Sequence, residues 1–138
     1  MASQQNPVDY VKAIQAQLKT VLGVIPVYSL MNRNYATQPK FATWQLRNVH
    51  QPVYTGPIQS VKGIDRPTFQ VSLFAQNAAD VLSMSNTILQ AMHGYTGMFG
   101  GPTGIYVTKT DVQWLYNSYD DKLGMNQIFL DITIDIQT

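Results

Sequence analysis

The side chains suited to acid–base or metal chemistry are few in this 138-residue chain: eight aspartates, no glutamate, no cysteine, and two histidines, His50 and His93. Asp131 and Asp135 fall on one face of a strand pattern, about 13 Å apart at ~3.3 Å per residue. Catalytic carboxylate pairs stand ~5–9.5 Å apart, so these two read as polar residues of an outer sheet face. Asp120 and Asp121 lack the ordered series of oxygen ligands that a calcium loop needs, and read as a turn. Neither histidine has a second one at ligand spacing. His93 ends a helix pattern, where a partly cationic imidazole would favour the dipole. Ser83 and Ser85 lack the glycine-flanked elbow that exposes a nucleophile. The glycines of GYTGMFGGPTG follow a helix instead of preceding one, so they read as a mobile loop and not a phosphate cradle. No enzymatic activity, cofactor or metal is expected.

The composition turns attention to surfaces. Charged residues make up 12% of the chain, about half the usual ~25%. Gln, Asn, twelve Thr and eight Tyr take their place. Such a surface costs less to desolvate than one rich in Lys and Glu, which suits lasting contact with other protein. A net charge of +1 argues against a dedicated nucleic-acid binder. No apolar run approaches the ~18 residues that span a membrane, and MASQQNP lacks a signal-peptide pattern. The absence of cysteine excludes disulfides and thiolate sites and fits a reducing interior.

The elements that position these residues can be read from their periods. Asn6 and Pro7 start a helix with an apolar stripe of Val8, Val11, Ile14, Leu18, Val21 and Leu22, closed by Gly23; Lys12, Gln15 and Lys19 form its wet side. Val24–Leu30 is a short strand, and Pro26 in it marks a sheet edge. A second strand runs from Phe41 to about Val49. His50–Asp65 is either a long ordered loop or a hairpin arm. Phe69, Val71, Leu73 and Ala75 then alternate with polar residues, and Asn77 caps a helix whose buried face is Val81, Leu82, Ser85, Ile88, Leu89 and Met92, ending at Gly94. Tyr95–Gly104 is glycine-rich, followed by strands at Ile105–Thr110 and Val112–Tyr116 and a loop through Asp120, Asp121 and Gly124. Trp44 and Trp114 read as core. The last strand alternates Ile128, Leu130, Ile132, Ile134 and Ile136 against Phe129, Asp131, Thr133 and Asp135. The expectation is a single α+β domain over 1–138, with 1–5 a flexible tail. About five mostly antiparallel strands carry two helices on one face.

Several stretches of this chain resemble the tail terminator, or tail completion, proteins of long-tailed bacteriophages. These are a helix from D-Y-V-K-A-I to L-G, the strand V-I-P-V-Y, F-Q-V-S-L-F-A-Q-N-A-A-D-V-L leading to T-I-L-Q-A-M, and the closing alternating strand. The most suggestive part is A-x-N-A-A-D at Ala75–Asp80. The resemblance implies a virion structural protein. Its subunits would form a homo-oligomeric, hexameric ring on the last ring of the tail tube protein, ending polymerisation and meeting neck or connector proteins. DNA would pass through without specific binding, and no membrane is involved. The residues expected at protein contacts are Arg47, His50, Tyr54 and Arg66 on one side and Tyr95, Phe99, Asp131 and Asp135 on the other. Two alternatives stand beside this. One is a head-completion or connector protein of the neck. The other is a small ligand-binding domain with Trp44, Arg47, His50 and Tyr54 lining a pocket.

Overall fold

The computed structural model describes residues 7–29, 39–55, 62–101, 104–122 and 124–137. Helix α1 spans Pro7–Leu22, and strand β1 spans Val27–Ser29. The long strands β2 (Lys40–Thr55) and β3 (Lys62–Ala75) lead to helix α2 (Ala78–Met92). A small hairpin, β4 (Gly97–Phe99) and β5 (Ile105–Val107), precedes β6 (Lys109–Asp120) and β7 (Met125–Gln137). The main sheet has the order β1-β2-β3-β7-β6, antiparallel throughout except for β1, which lies parallel to β2 at one edge. This is the expected α+β domain, with the β4–β5 hairpin added.

Strict alternation accounts for the layering. Phe69, Val71 and Leu73 of β3 and Ile128, Leu130, Ile132 and Ile134 of β7 are each 0% exposed and form the floor on which both helices pack. Helix α2 begins as its sequence predicts: Oδ1 of Asn77 accepts from the Ala79 N–H at 3.3 Å, satisfying a donor that lacks a helical partner. Its buried arc is Val81, Met84, Ser85, Ile88 and Met92. Leu82, expected inside, is half exposed, and Met84 takes the place assigned to it. The same shift occurs in α1, where Tyr10, Ala13 and Gln17 are buried and Val8 is exposed. In both helices the buried arc is set by what it packs against, and polar tips enter it once they find partners. The Tyr10 hydroxyl donates to Asp65, and Gln17 Oε1 accepts from the Gly100 N–H at 2.9 Å. Gln15, expected on the wet side, bridges helix and sheet, its amide donating to the Val27 carbonyl at 3.0 Å and accepting from the Trp44 indole N–H. The proposed Asn6 cap lies outside the described residues.

The His50–Asp65 stretch resolves as a hairpin arm. β2 continues past Val49, pairing Val53 with Ile64 and Thr55 with Lys62. Two register shifts, between Leu46 and Asn48 and between His50 and Val53, each place one extra residue on β2. Pro52 falls within the second, where a missing N–H costs the ladder nothing. β3 also contains a proline. Its pairing with β7 is continuous from Thr68 to Ala75, lapses at Arg66 and Pro67, and resumes at Asp65.

Three further expectations are corrected. The Tyr95–Gly104 stretch is not simply a loop: Gly97–Phe99 pairs with Ile105–Val107, and Phe99 is fully buried. The break between β5 and β6 comes at Thr108, whose N–H and hydroxyl both donate to the Asp135 carbonyl, instead of at Asp111. β6 runs on to Asp120, and Gly124, with φ +66°, donates to the Asp120 carbonyl at 2.7 Å to turn the chain. His93 also differs. Its Nδ1 accepts from the Val112 N–H at 3.1 Å, which ties the end of α2 to β6, and lies 3.6 Å from Oδ1 of Asp111.

Tyr10 ties α1 to the base of the arm, and it sets a first testable consequence. Burial and the neighbouring Asp65 both hold its hydroxyl protonated, raising its pKa well above the ordinary ~10. The folded pKa exceeds the unfolded one, so this contribution to stability is complete below pH ~10 and is lost as pH rises beyond it. Tyr10→Phe is expected to cost about 1–3 kcal/mol at pH 8, because Asp65 loses a donor. It should also flatten the fall in urea midpoint between pH 9 and 11 relative to the parent. An unchanged midpoint at pH 8 would show that the bond contributes nothing.

Candidate interaction surface

The face of the sheet away from the helices carries the candidate contact residues, and it is organised in rows across the strands. One row is Gln45, Gln70, Asp131 and Gln113; the next is Asn48, Thr68, Thr133 and Asp111; a third pairs His50 with Arg66 and Asp135 with Lys109. Each row is knitted by side chains. The Gln45 amide donates to Gln70 at 3.1 Å, and the hydroxyls of Thr68 and Thr133 lie 3.1 Å apart. At one end the polar rows give way to a small apolar cluster in which the Phe41 and Phe74 rings stack at 4.6 Å over Met125.

Arg47 and Asp131, and likewise Arg66 and Asp135, were expected on opposite sides of a joint between copies. The structure pairs them within one chain. Arg47 meets Asp131 at 2.5 Å, and Arg66 holds Asp135 with two bonds of 2.7 and 3.2 Å. The second pair spans β3 and β7 where their backbone ladder lapses, so the side chains bridge what Pro67 interrupts. Its hydrogen bonds to the carboxylate hold the guanidinium charged, raising a pKa that is already high. Asp131 is less well served. Its Oδ1 is buried and has no hydrogen-bond partner among the described residues.

This pairing changes what a mutation reads. A charge reversal at Arg66 sets two carboxylates together inside one chain, so it tests the fold before it tests assembly. Arg66→Ala is expected to lower stability by about 1–2 kcal/mol. The arginine is 40% exposed and screened, while Asp135 is largely buried and loses its donors. Thermal melting of the isolated protein measures this; a change under 0.5 kcal/mol would mean that water replaces the pair.

The remaining candidates are scattered. His50 is exposed on the outer face opposite Arg66, and Tyr54 sits in the arm opposite Gly63. Tyr95 lies beyond α2, its hydroxyl donating to the Met98 carbonyl at 2.6 Å. Phe99, being fully buried, is part of the core and is not available to a partner. The pocket imagined for a small ligand is not assembled either: Trp44 sits on the helix side of β2, beside a groove with α1, while Arg47 points to the opposite face. A shallow cleft of about 150 Å³ lined by Arg66, Lys109, Asp111, Thr133 and Asp135 holds equal numbers of cations and carboxylates. Among the described residues no group of three or more His, Cys, Asp or Glu is placed to hold a metal, and no helix is long and apolar enough to cross a membrane.

Sequence reasoning missed the aromatic edge. Trp114, read as core, is 40% exposed, and Tyr116 and Tyr119 are 52% and 58% exposed along the same strand, β6. The legible sign was the run W-L-Y-N-S-Y, which breaks the two-residue alternation that the last strand keeps.

No family model matches the sequence, and no curated protein matches it. Solved structures do match its fold. A chain of the virion of a native gene transfer agent particle superposes with a TM-score of 0.54 at 12% identity, covering 94% of this chain and 92% of that one. A sheath/tube terminator of an extracellular contractile injection system (PVC), in its extended state, superposes with a TM-score of 0.50 at 12% identity and covers 99% of this chain. This chain spans 58% of that terminator's length. The resemblance read from the sequence and the fold found in three dimensions therefore point to the same architecture.

Proposed function

We propose that this chain is a structural subunit of a phage-like tail that forms a ring at the head-proximal end of the tail tube. The ring ends tube polymerisation and joins the tail to the neck. The observation that carries this reading is the fold shared with a sheath/tube terminator along 99% of the chain. The chemistry of the surface supports it. The outer face presents amides, hydroxyls and internally neutralised ion pairs, which desolvate cheaply against protein and hold no phosphate backbone. DNA passes such a ring without being retained. The hairpin arm, β2 and β3 beyond His50 and Arg66, supplies an element long enough to reach a neighbouring subunit or the tube.

The test is to add the purified protein to polymerising tail tube protein. Rings by negative-stain microscopy and tubes of arrested length are the expected result. A species that stays monomeric by light scattering and leaves tube length unchanged would refute the proposal. Co-purification with filled heads instead of tubes would reassign the ring to the head side of the neck.

A further inference from the structure

We infer that copies of this chain join through their sheet edges, the second half of β6 in one copy pairing antiparallel with residues 45–50 of β2 in the next. The inference rests on the ring reading above and specifies its joint.

Among the described residues, both edges of the main sheet are half covered. On β6 the outward backbone groups at alternate residues are taken by the chain leaving α2. The Thr108 carbonyl accepts from the Thr96 hydroxyl at 3.0 Å, the Thr110 carbonyl from the Gly94 N–H at 2.8 Å, and the Val112 N–H donates to His93. From Trp114 to Asp120 no described segment lies along that edge; among the described residues the one backbone bond there outside the sheet is the turn bond to Asp120. On the far side β1 covers β2 only at Ala42, Thr43 and Trp44, and no described strand covers it from Gln45 onward.

One row of residues divides both edges. Trp44 pairs with Val71, Val71 with Leu130, and Leu130 with Trp114. Counting the described residues, on one side of this row β2 is covered and β6 is open, and on the other β6 is covered and β2 is open. Among the described residues, each edge is thus uncovered at the end where the other is closed. A second copy offset along the strands fills both vacancies.

Strand direction agrees with that docking. Three antiparallel steps separate β2 from β6, so β6 runs opposite to β2. A neighbour with its helices on the same face therefore brings β2 to β6 in antiparallel order, without inverting the sheet. The exposed Trp114, Tyr116 and Tyr119 supply the large side chains that cross-strand pairs use. A contact between two different edges is head-to-tail, the type that closes rings, and its offset becomes a tilt of the strands around the ring axis. An open aromatic edge of this length would otherwise invite aggregation.

The natural lack of cysteine makes the test clean. Asn48 and Ser118 are both exposed on the outer face, one at each proposed edge. The double variant Asn48→Cys/Ser118→Cys, treated with a short bis-maleimide and then denatured, should give a ladder of covalent multimers ending at the ring size. An equal mixture of the two single variants should stop at dimers, and each alone should remain monomeric. Tyr119→Lys should raise the concentration for half-assembly at least tenfold while circular dichroism and melting stay as in the parent. Rings that form without the ladder, or dimers from Ser118→Cys alone, would place the joint elsewhere and leave the ring reading intact. A parent that forms no rings even with tube ends present would overturn both.

Discussion

Phe69→Ala is expected to lower the free energy of unfolding by about 3–5 kcal/mol, a large part of the 5–15 kcal/mol typical of a domain. Phe69 is 0% exposed at the centre of the sheet, between Leu46 on β2 and Ile132 on β7, and its ring meets Trp44 edge-on at 6.3 Å. Truncation removes burial from the floor on which both helices rest, and backbone hydrogen bonds on either side prevent β3 from collapsing into the space. Phe74→Ala is the comparison. That ring stacks on Phe41 in the small cluster on the other face, at the end of the sheet, where neighbours can close in, and a loss of about 2–3 kcal/mol is expected. Urea unfolding of both variants at neutral pH measures the difference. A Phe69→Ala loss below that of Phe74→Ala would show that the helix-side cluster is not the dominant core.

Gly100→Ala carries the second large effect, expected at about 2–4 kcal/mol. The residue has φ +92°, and an added Cβ would stand 2.8 Å from the Ala13 Cα and 3.0 Å from its carbonyl oxygen. Both are backbone atoms of α1, so neither can swing aside. The Gly100 N–H also donates to Gln17, and a forced shift breaks that bond. Gly101 offers the control. It has a similar φ of +86° but no atom of the described residues within 4 Å of its Cβ position, so Gly101→Ala is expected to show conformational strain alone, about 1 kcal/mol. Hydrogen exchange along Gly97–Phe99 and Ile105–Val107 should accelerate in the first variant and barely change in the second. Equal effects would mean that strain, and not the close approach to α1, makes glycine necessary.

Much of the arrangement was legible in the chain. The unbroken alternation from Ile128 to Ile136 located β7 and its buried face, and Asn77 located the start of α2 to the residue. The depletion of charge and the absence of any spaced set of reactive side chains directed attention to protein contact before the fold was known. Where the reading failed, the residue in question took its environment from elsewhere in the sequence. Leu82 and Met84 have similar apolar character, and the phase of α2 against the sheet chose between them. The glycines of 94–101 looked like a loop because no local period marks a three-residue strand; its partner lies eight residues on.

The charged pairs make the same point about the candidate surface. Arg47 and Asp131 are 84 positions apart, and Arg66 and Asp135 are 69. Composition suggested a surface made for contact but could not say that its charges were already spent on one another. By itself the sequence determined strand and helix types, the capped α2, the inner and outer faces of the strands and the poverty of reactive groups, because each depends on period and side-chain chemistry within a few residues. The tertiary structure alone decided which strands lie at the edges, which half of each edge is covered, and that Trp114, Tyr116 and Tyr119 remain exposed. Strand order is set by long-range pairing, and no local period encodes a strand's neighbour.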